Sequence, residues 1–185
     1  LVPLTAHEPL KAYAKRMSDL VLEENPVLIG VSFGGIMVQE MSKQLKCKKI
    51  IIISSIKSRD EMSKVLKLIQ KLKIYKLFPS KVIENIEMFS FLAFGNTSKT
   101  RLKLYKKYFS MRNKTYLKWS VYHVLHWQQT KPLVNILHVH GTDDAIFCSK
   151  YIRNFIPVEN GTHIMVINKE KTISKIITDS LKMLK

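Results

Sequence analysis

Acidic side chains are scarce in this sequence. It holds 14 Asp and Glu against 31 Lys and Arg, a formal net charge of +17. Such a balance suggests an anionic membrane, polymer or substrate, or simply a well-solvated surface. Arginine is rare among the cations, although it is the residue suited to bidentate phosphate recognition. No nucleic-acid-binding motif accompanies the charge, so no specific nucleic-acid partner is expected. Cysteine is almost absent. Cys47 and Cys148 cannot make a disulfide framework, and they point to a reducing compartment, the cytoplasm. No apolar run approaches the length of a membrane span. Clusters with metal-ligand spacing are missing too. His123 and His126 lie three apart, but no carboxylate or cysteine flanks them, and a metal site needs three or four ligands. They read as ordinary helix residues, and no metal or other cofactor is expected. Residue 1 is leucine rather than methionine, so further residues are expected ahead of it, and a signal peptide among them is not excluded. What the chain does have is 185 residues with 46% hydrophobic content, enough for one domain with a real core.

The organising stretch is Gly30-Val31-Ser32-Phe33-Gly34-Gly35. It matches G-x-S-x-G, a tight strand-to-helix turn that lifts a serine clear of a sheet. The residues two before and two after the serine crowd such a bend, so Gly30 and Gly34 are expected to be small for steric reasons. The context fits. Residues 26–31 are a short apolar run, consistent with a buried parallel strand. Beyond Gly35, Met37, Met41 and Leu45 recur at helical spacing.

Ahead of this turn, Leu10, Tyr13, Ala14, Met17, Leu20 and Val21 fall on one helical stripe, and Asn25-Pro26 ends it. Residues 48–54, rich in isoleucine, read as a second buried strand. Helix, strand, helix, strand predicts parallel pairing with right-handed crossovers. From 57 to 130 the alternation stops and the pattern is helical throughout. This stretch carries 16 basic and 4 acidic residues, +12 of the net +17. Met62, Val65, Leu66, Ile69 and Leu72 form one stripe; further helices are expected at 99–109 and 114–128. An apolar patch of Phe89, Phe91 and Phe94 lies between. The pattern predicts a helical, strongly basic cap at 57–130, inserted between the two parts of an α/β core, 1–56 and 131–185. Past Lys131-Pro132 the alternation resumes. A strand at 133–139 leads to His140-Gly141-Thr142-Asp143-Asp144. A shorter one at 155–158, placed at an edge by its proline, leads to Gly161-Thr162-His163. Ile173, Ile176, Ile177 and Leu181 mark a last helix.

Ser32, an aspartate at 143 or 144, and His163 therefore lie at the C-terminal ends of three strands or in the loops after them. In open parallel sheets that edge is where sites form. A serine is a weak nucleophile unless a base takes its proton, and the base needs a carboxylate to fix its tautomer.

Those three stretches, in the order Ser, Asp, His, resemble the α/β-hydrolase superfamily. The resemblance implies a mostly parallel sheet flanked by helices with an inserted helical cap. It implies a serine hydrolase that cleaves an ester, thioester or related acyl bond of a small-molecule substrate. Ser32 would be the nucleophile, His163 the base, and Asp144 rather than Asp143 the acid. The Phe33 N–H would serve the oxyanion hole. A serine at the elbow sets the chain apart from dehalogenases and epoxide hydrolases of this fold, which use aspartate there. The cap would cover an acyl pocket lined by residues such as Phe89, Phe91, Phe94, Trp119 and Trp127, each of which also reads as plain cap core. Weak contact between the cap and an anionic membrane is a further expectation. A non-catalytic binding protein with the same fold is the alternative. The family's sheet begins with several strands ahead of the elbow helix, and one of their loops gives a second oxyanion donor. Nothing before Leu10 can be that strand. A truncated fold is therefore expected, and poor catalysis by these 185 residues alone.

Overall fold

The computed structural model describes residues 1–76 and 113–183. Four strands form one parallel sheet: β1 (Val27–Val31), β2 (Lys49–Ile53), β3 (Ile136–Gly141) and β4 (Ile156–Val158), side by side in that order. A parallel sheet needs both faces covered, and the isoleucines of β2 show how. Ile50 and Ile52 pack into a cluster with Tyr13, Ala14, Met37, Met41 and Trp119. Ile53 points the other way, into a cluster with Val139, Val158, Met165 and Ile173. The first cluster holds α1 (Leu10–Ser18) and α2 (Phe33–Met41) on one face. The second holds α5 (Glu170–Lys182) on the other. β4 ends the sheet, as its proline suggests, and β1 is at the opposite end among the described residues.

Element boundaries differ from the hydrophobic pattern for a local reason. Asn25, Asn135 and Asn154 each sit at positive φ (51°, 62° and 47°) a residue or two ahead of a strand. Asparagine tolerates this left-handed region because its short amide bonds locally. β3 therefore starts at Ile136, after Asn135, and not at residue 133; Val134 is left exposed. Similarly, α1 stops at Ser18, and Leu20, on its apolar stripe, faces solvent.

Within 57–130 the described residues contain 3-10 turns at Arg59–Glu61 and Ile74–Lys76 and the helices α3 (Lys64–Lys71) and α4 (Lys114–Leu125). Ser63 caps α3 by accepting from the Leu66 N–H, and Asn113 caps α4 by accepting from the Tyr116 N–H. The helix expected at 99–109 and the patch of Phe89, Phe91 and Phe94 lie outside the described residues. The two ends of the segment meet on α2. Gln129 donates to the Lys57 carbonyl at 2.7 Å and to Gln39 Oε1 at 2.9 Å, while the Arg59 N–H donates to the Gln129 carbonyl at 2.8 Å. Gln39 is itself buried and donates to the Gly35 and Ile56 carbonyls. No helix among the described residues is long and apolar enough to cross a membrane.

Candidate active site

Strand β1 delivers the chain to Ser32, which has φ 54° and ψ −122°. That lies outside the regions open to ordinary L-residues. Neighbouring bonds hold it there. The Ser32 N–H donates to the Ile53 carbonyl at 2.9 Å; the Ser32 carbonyl accepts from the Gly35 N–H at 2.9 Å and from Ser55 Oγ at 2.8 Å. A Cβ on Gly30 would strike the Gly34 carbonyl, so Gly30 must be glycine-small. Gly34 differs from the sequence expectation. A Cβ there meets nothing within 4 Å among the described residues. The first turn of α2 presents the Gly34 carbonyl to β1 and turns its Cβ position outward. The second steric demand falls instead on Gly35, whose Cβ would strike the Ser55 side chain.

Three side chains meet beside this turn. Ser32 Oγ donates to His163 Nε2 at 2.7 Å. His163 Nδ1–H donates to Asp144, with Oδ2 at 2.9 Å and Oδ1 at 3.1 Å. Asp144 Oδ1 also accepts from the Ile146 and Phe147 N–H groups, each at 2.9 Å. Asp144 and His163 are buried, whereas Asp143 is exposed and, among the described residues, accepts only from the Thr142 hydroxyl, at 3.2 Å. The structure thus brings Asp144, not Asp143, to His163. Two glycines make the approach possible. A Cβ on Gly141 would strike the Gly161 carbonyl. The Thr142 and Asp143 N–H groups donate across to the Val158 and Gly161 carbonyls, at 3.1 and 2.9 Å, and join the two loops. Phe33 is the first residue of α2, where backbone N–H groups have no partner within the helix. Its ring packs edge-on against Trp119.

Burial alone would raise the Asp144 carboxyl. The charge and hydrogen bond of His163, with His140 and the Phe147 N–H, outweigh it and hold the group below its ordinary value. Asp144 is therefore ionised at neutral pH and can only accept. That fixes the His163 proton on Nδ1 and leaves Nε2 free to receive the serine's proton.

His140 stands on the other side of Asp144, its Nε2 3.5 Å from Oδ2, and His138 lies behind it. In the sequence His140 only opens the stretch that leads to Asp144 and carries no role of its own, and His138 and Ser55 carry none either. The signal for the histidines is the His-x-His spacing in a strand, which places both on one face of the sheet. Trp119 and Trp127, expected as candidates to line an acyl pocket, are buried in separate packed clusters. His123 Nε2 lies 3.1 Å from the Glu8 carbonyl, and His126 Nδ1 lies 2.9 Å from the Tyr122 carbonyl. A cavity of about 550 Å³ opens elsewhere, lined by residues including Lys57, Glu61, Asn135, Lys150 and Arg153; Ser32, Asp144 and His163 do not line it.

No protein-family model and no curated protein sequence matches the chain. Solved structures do. An esterase of Thermogutta terrifontis superposes with a TM-score of 0.66 at 14% identity, over 95% of this chain and 72% of its own. An esterase of Exiguobacterium antarcticum gives 0.65 at 13% identity, over 93% and 72%. BpoC of Mycobacterium tuberculosis, named for a non-heme bromoperoxidase, gives 0.69 at 8% identity, over 100% and 76%. Sheet order, connectivity and these similarities agree: the chain has the α/β-hydrolase fold.

Proposed function

We propose that the chain is a serine hydrolase that cleaves an ester, thioester or related acyl bond, with Ser32, His163 and Asp144 as its triad. The observation that carries this reading is the unbroken line from Ser32 Oγ through His163 to the buried Asp144 carboxyl group. Serine on a strained elbow has no structural use for that line, and a nucleophile does. In the reaction Ser32 Oγ attacks the acyl carbon while its proton passes to His163 Nε2. Asp144 stabilises the imidazolium across Nδ1 without taking its proton. The oxyanion of the tetrahedral intermediate takes a hydrogen bond from the Phe33 N–H. Collapse gives the proton back to the leaving group and leaves an acyl-enzyme, which water then hydrolyses by the same route. Similarity to esterases of this fold supports the general class. The test is hydrolysis of a short activated ester by the chain and by Ser32→Ala and His163→Ala. Removing the serine or the histidine should cost on the order of 10⁶-fold in kcat, down to any background rate. A rate that survives Ser32→Ala would contradict the assignment.

A weak contact with anionic membranes is a second proposal for the basic segment. It is supported by α3, where Lys64, Lys67 and Lys71 accompany Val65, Leu68 and Leu72, all exposed among the described residues. Co-sedimentation with phosphatidylserine vesicles, lost in high salt and unchanged by Ser32→Ala, is the expected result. No sedimentation at low salt would dismiss it.

A further inference from the structure

We propose that His140 is a positioning residue for Asp144, holding the carboxylate against His163 by gripping the loop that carries it. This rests on the serine-hydrolase reading, because it gives that reading's acid a second support. His140 is completely buried at the end of β3. Its Nε2 stands 2.7 Å from the Phe147 carbonyl. A carbonyl only accepts, so Nε2 carries the proton. Phe147 in turn donates its own N–H to Asp144 Oδ1 at 2.9 Å. His140 therefore grips Phe147 by its carbonyl, and Phe147 grips Asp144 by its amide. The same imidazole edge faces Asp144 Oδ2 at 3.5 Å, the oxygen that receives the shorter His163 contact.

The tautomer is set one residue further back. With Nε2 protonated, a neutral His140 has a bare Nδ1, which needs a donor. His138 Nε2 lies 3.2 Å from it, the two rings nearly perpendicular. His138 must then carry its proton on Nε2. Among the described residues its bare Nδ1 has no hydrogen-bond partner, though the Ser55 backbone is close. Strand alternation makes the pairing possible, since residues two apart share a face. Directed hydrogen bonds thus run from His138 to His140 to Phe147 to Asp144.

Neutrality matters to this role. The charged and titratable groups that bear on His140 are Asp144, His163, Glu61 and His138, with Lys57 beside His138. Burial pushes the His140 imidazole below its ordinary value against the pull of Asp144. Burial, helped by His140 and Lys57, pushes His138 down to about 2. A cationic His140 would pair with Asp144 and compete with His163 for it. A neutral one supports the carboxylate without competing.

The test uses the 185-residue chain and reads the hydrogen bond directly by proton and nitrogen NMR. Unsubstituted protein should show a strongly deshielded His163 Nδ1–H resonance, with His138 and His140 both protonated on Nε2. An Nδ1–H tautomer at His140 would overturn the proposal with no variant needed, which keeps it testable if a substitution fails to fold. In His140→Leu the His163 resonance should move upfield or vanish, and kcat on an activated ester should fall about 10- to 100-fold with KM little changed, as for a small misplacement of a reacting group. His140→Gln, whose amide can still donate to Phe147, should restore both. A folded His140→Leu protein with an unmoved resonance and unmoved kcat would refute the role. So would a folded His140→Gln protein as impaired as His140→Leu. Chain whose Ser32 fails to react with a fluorophosphonate but which does show the resonance changes would refute the hydrolase reading and leave the positioning role standing.

Discussion

Ser32 is held at φ 54° by bonds to Ile53, Gly35 and Ser55, a conformation that costs on the order of 1–3 kcal/mol in isolation. The glycines around it are unequal as a result. Gly30→Ala places a Cβ onto the Gly34 carbonyl, backbone against backbone, and should destabilise by at least about 2 kcal/mol, as overpacking does. Gly34→Ala meets nothing within 4 Å among the described residues, lies within a helix, and should be neutral or stabilising by about 0.5–1 kcal/mol. Urea unfolding of the two variants checks this, and equal losses would place the crowding elsewhere. The two aspartates are unequal as well. Asp144→Asn, which removes the charge that fixes His163, should lower kcat/KM on the order of 10⁴-fold, whereas Asp143→Asn should leave it nearly unchanged. Steady-state kinetics decides it; a larger loss at Asp143 would reverse the roles. The serine and the demand on Gly30 were legible because they are local: Gly30 crowds Gly34 within six adjacent residues. Gly35 against Ser55, and His140 behind Asp144, were not legible. Each contact joins segments that only the folded sheet brings together.

At the scale of elements, Trp119 is the most deeply buried of the α4 side chains that dock on the core, beside Tyr116, His123 and Val124. Trp119 is buried between Tyr13 and Phe33, and its indole N–H donates to the Glu8 carbonyl at 2.7 Å. It links α4 to the segment before α1 and to Phe33, the residue after Ser32. Trp119→Ala should cost about 3–5 kcal/mol of stability by emptying this volume, read as a lower urea midpoint with an unchanged slope. A loss under about 1 kcal/mol would mean that α4 docks by other contacts. Element types and order were readable from period: four isoleucines in β2 cannot face water, and the stripe of α1 cannot be a strand. Element ends were misread where a single asparagine overrides a hydrophobic run. Val134 looks like strand and is solvent, because Asn135 turns the chain. That choice is made by one residue's backbone, and hydrophobic periodicity does not register it.

For the whole molecule, the buried histidines set a dependence on pH. His138 is pushed down to about 2 when folded, from an ordinary value of 6.5. Below 6.5 the unfolded chain binds a proton there that the native chain does not. Stability is therefore full above that value and falls as pH falls, by about 1.4 kcal/mol per pH unit from His138 alone. His140, also lowered, acts in the same direction. Asp144 adds its own loss only below its ordinary carboxyl value of 3.8. Denaturant unfolding between pH 7 and 5 should show the fall, and His138→Gln should flatten it. Stability that rises on acidification would mean the pair is charged in the native state. Sheet, helices and histidine line together hold one serine in a posture that no structural role requires. The central claim is that this serine is a nucleophile, and covalent labelling with a fluorophosphonate tests it most directly. The account predicts one adduct per chain on the peptide containing Ser32, absent in Ser32→Ala and strongly slowed in His163→Ala. Labelling at another serine, or labelling of Ser32 at the same rate without His163, would contradict it.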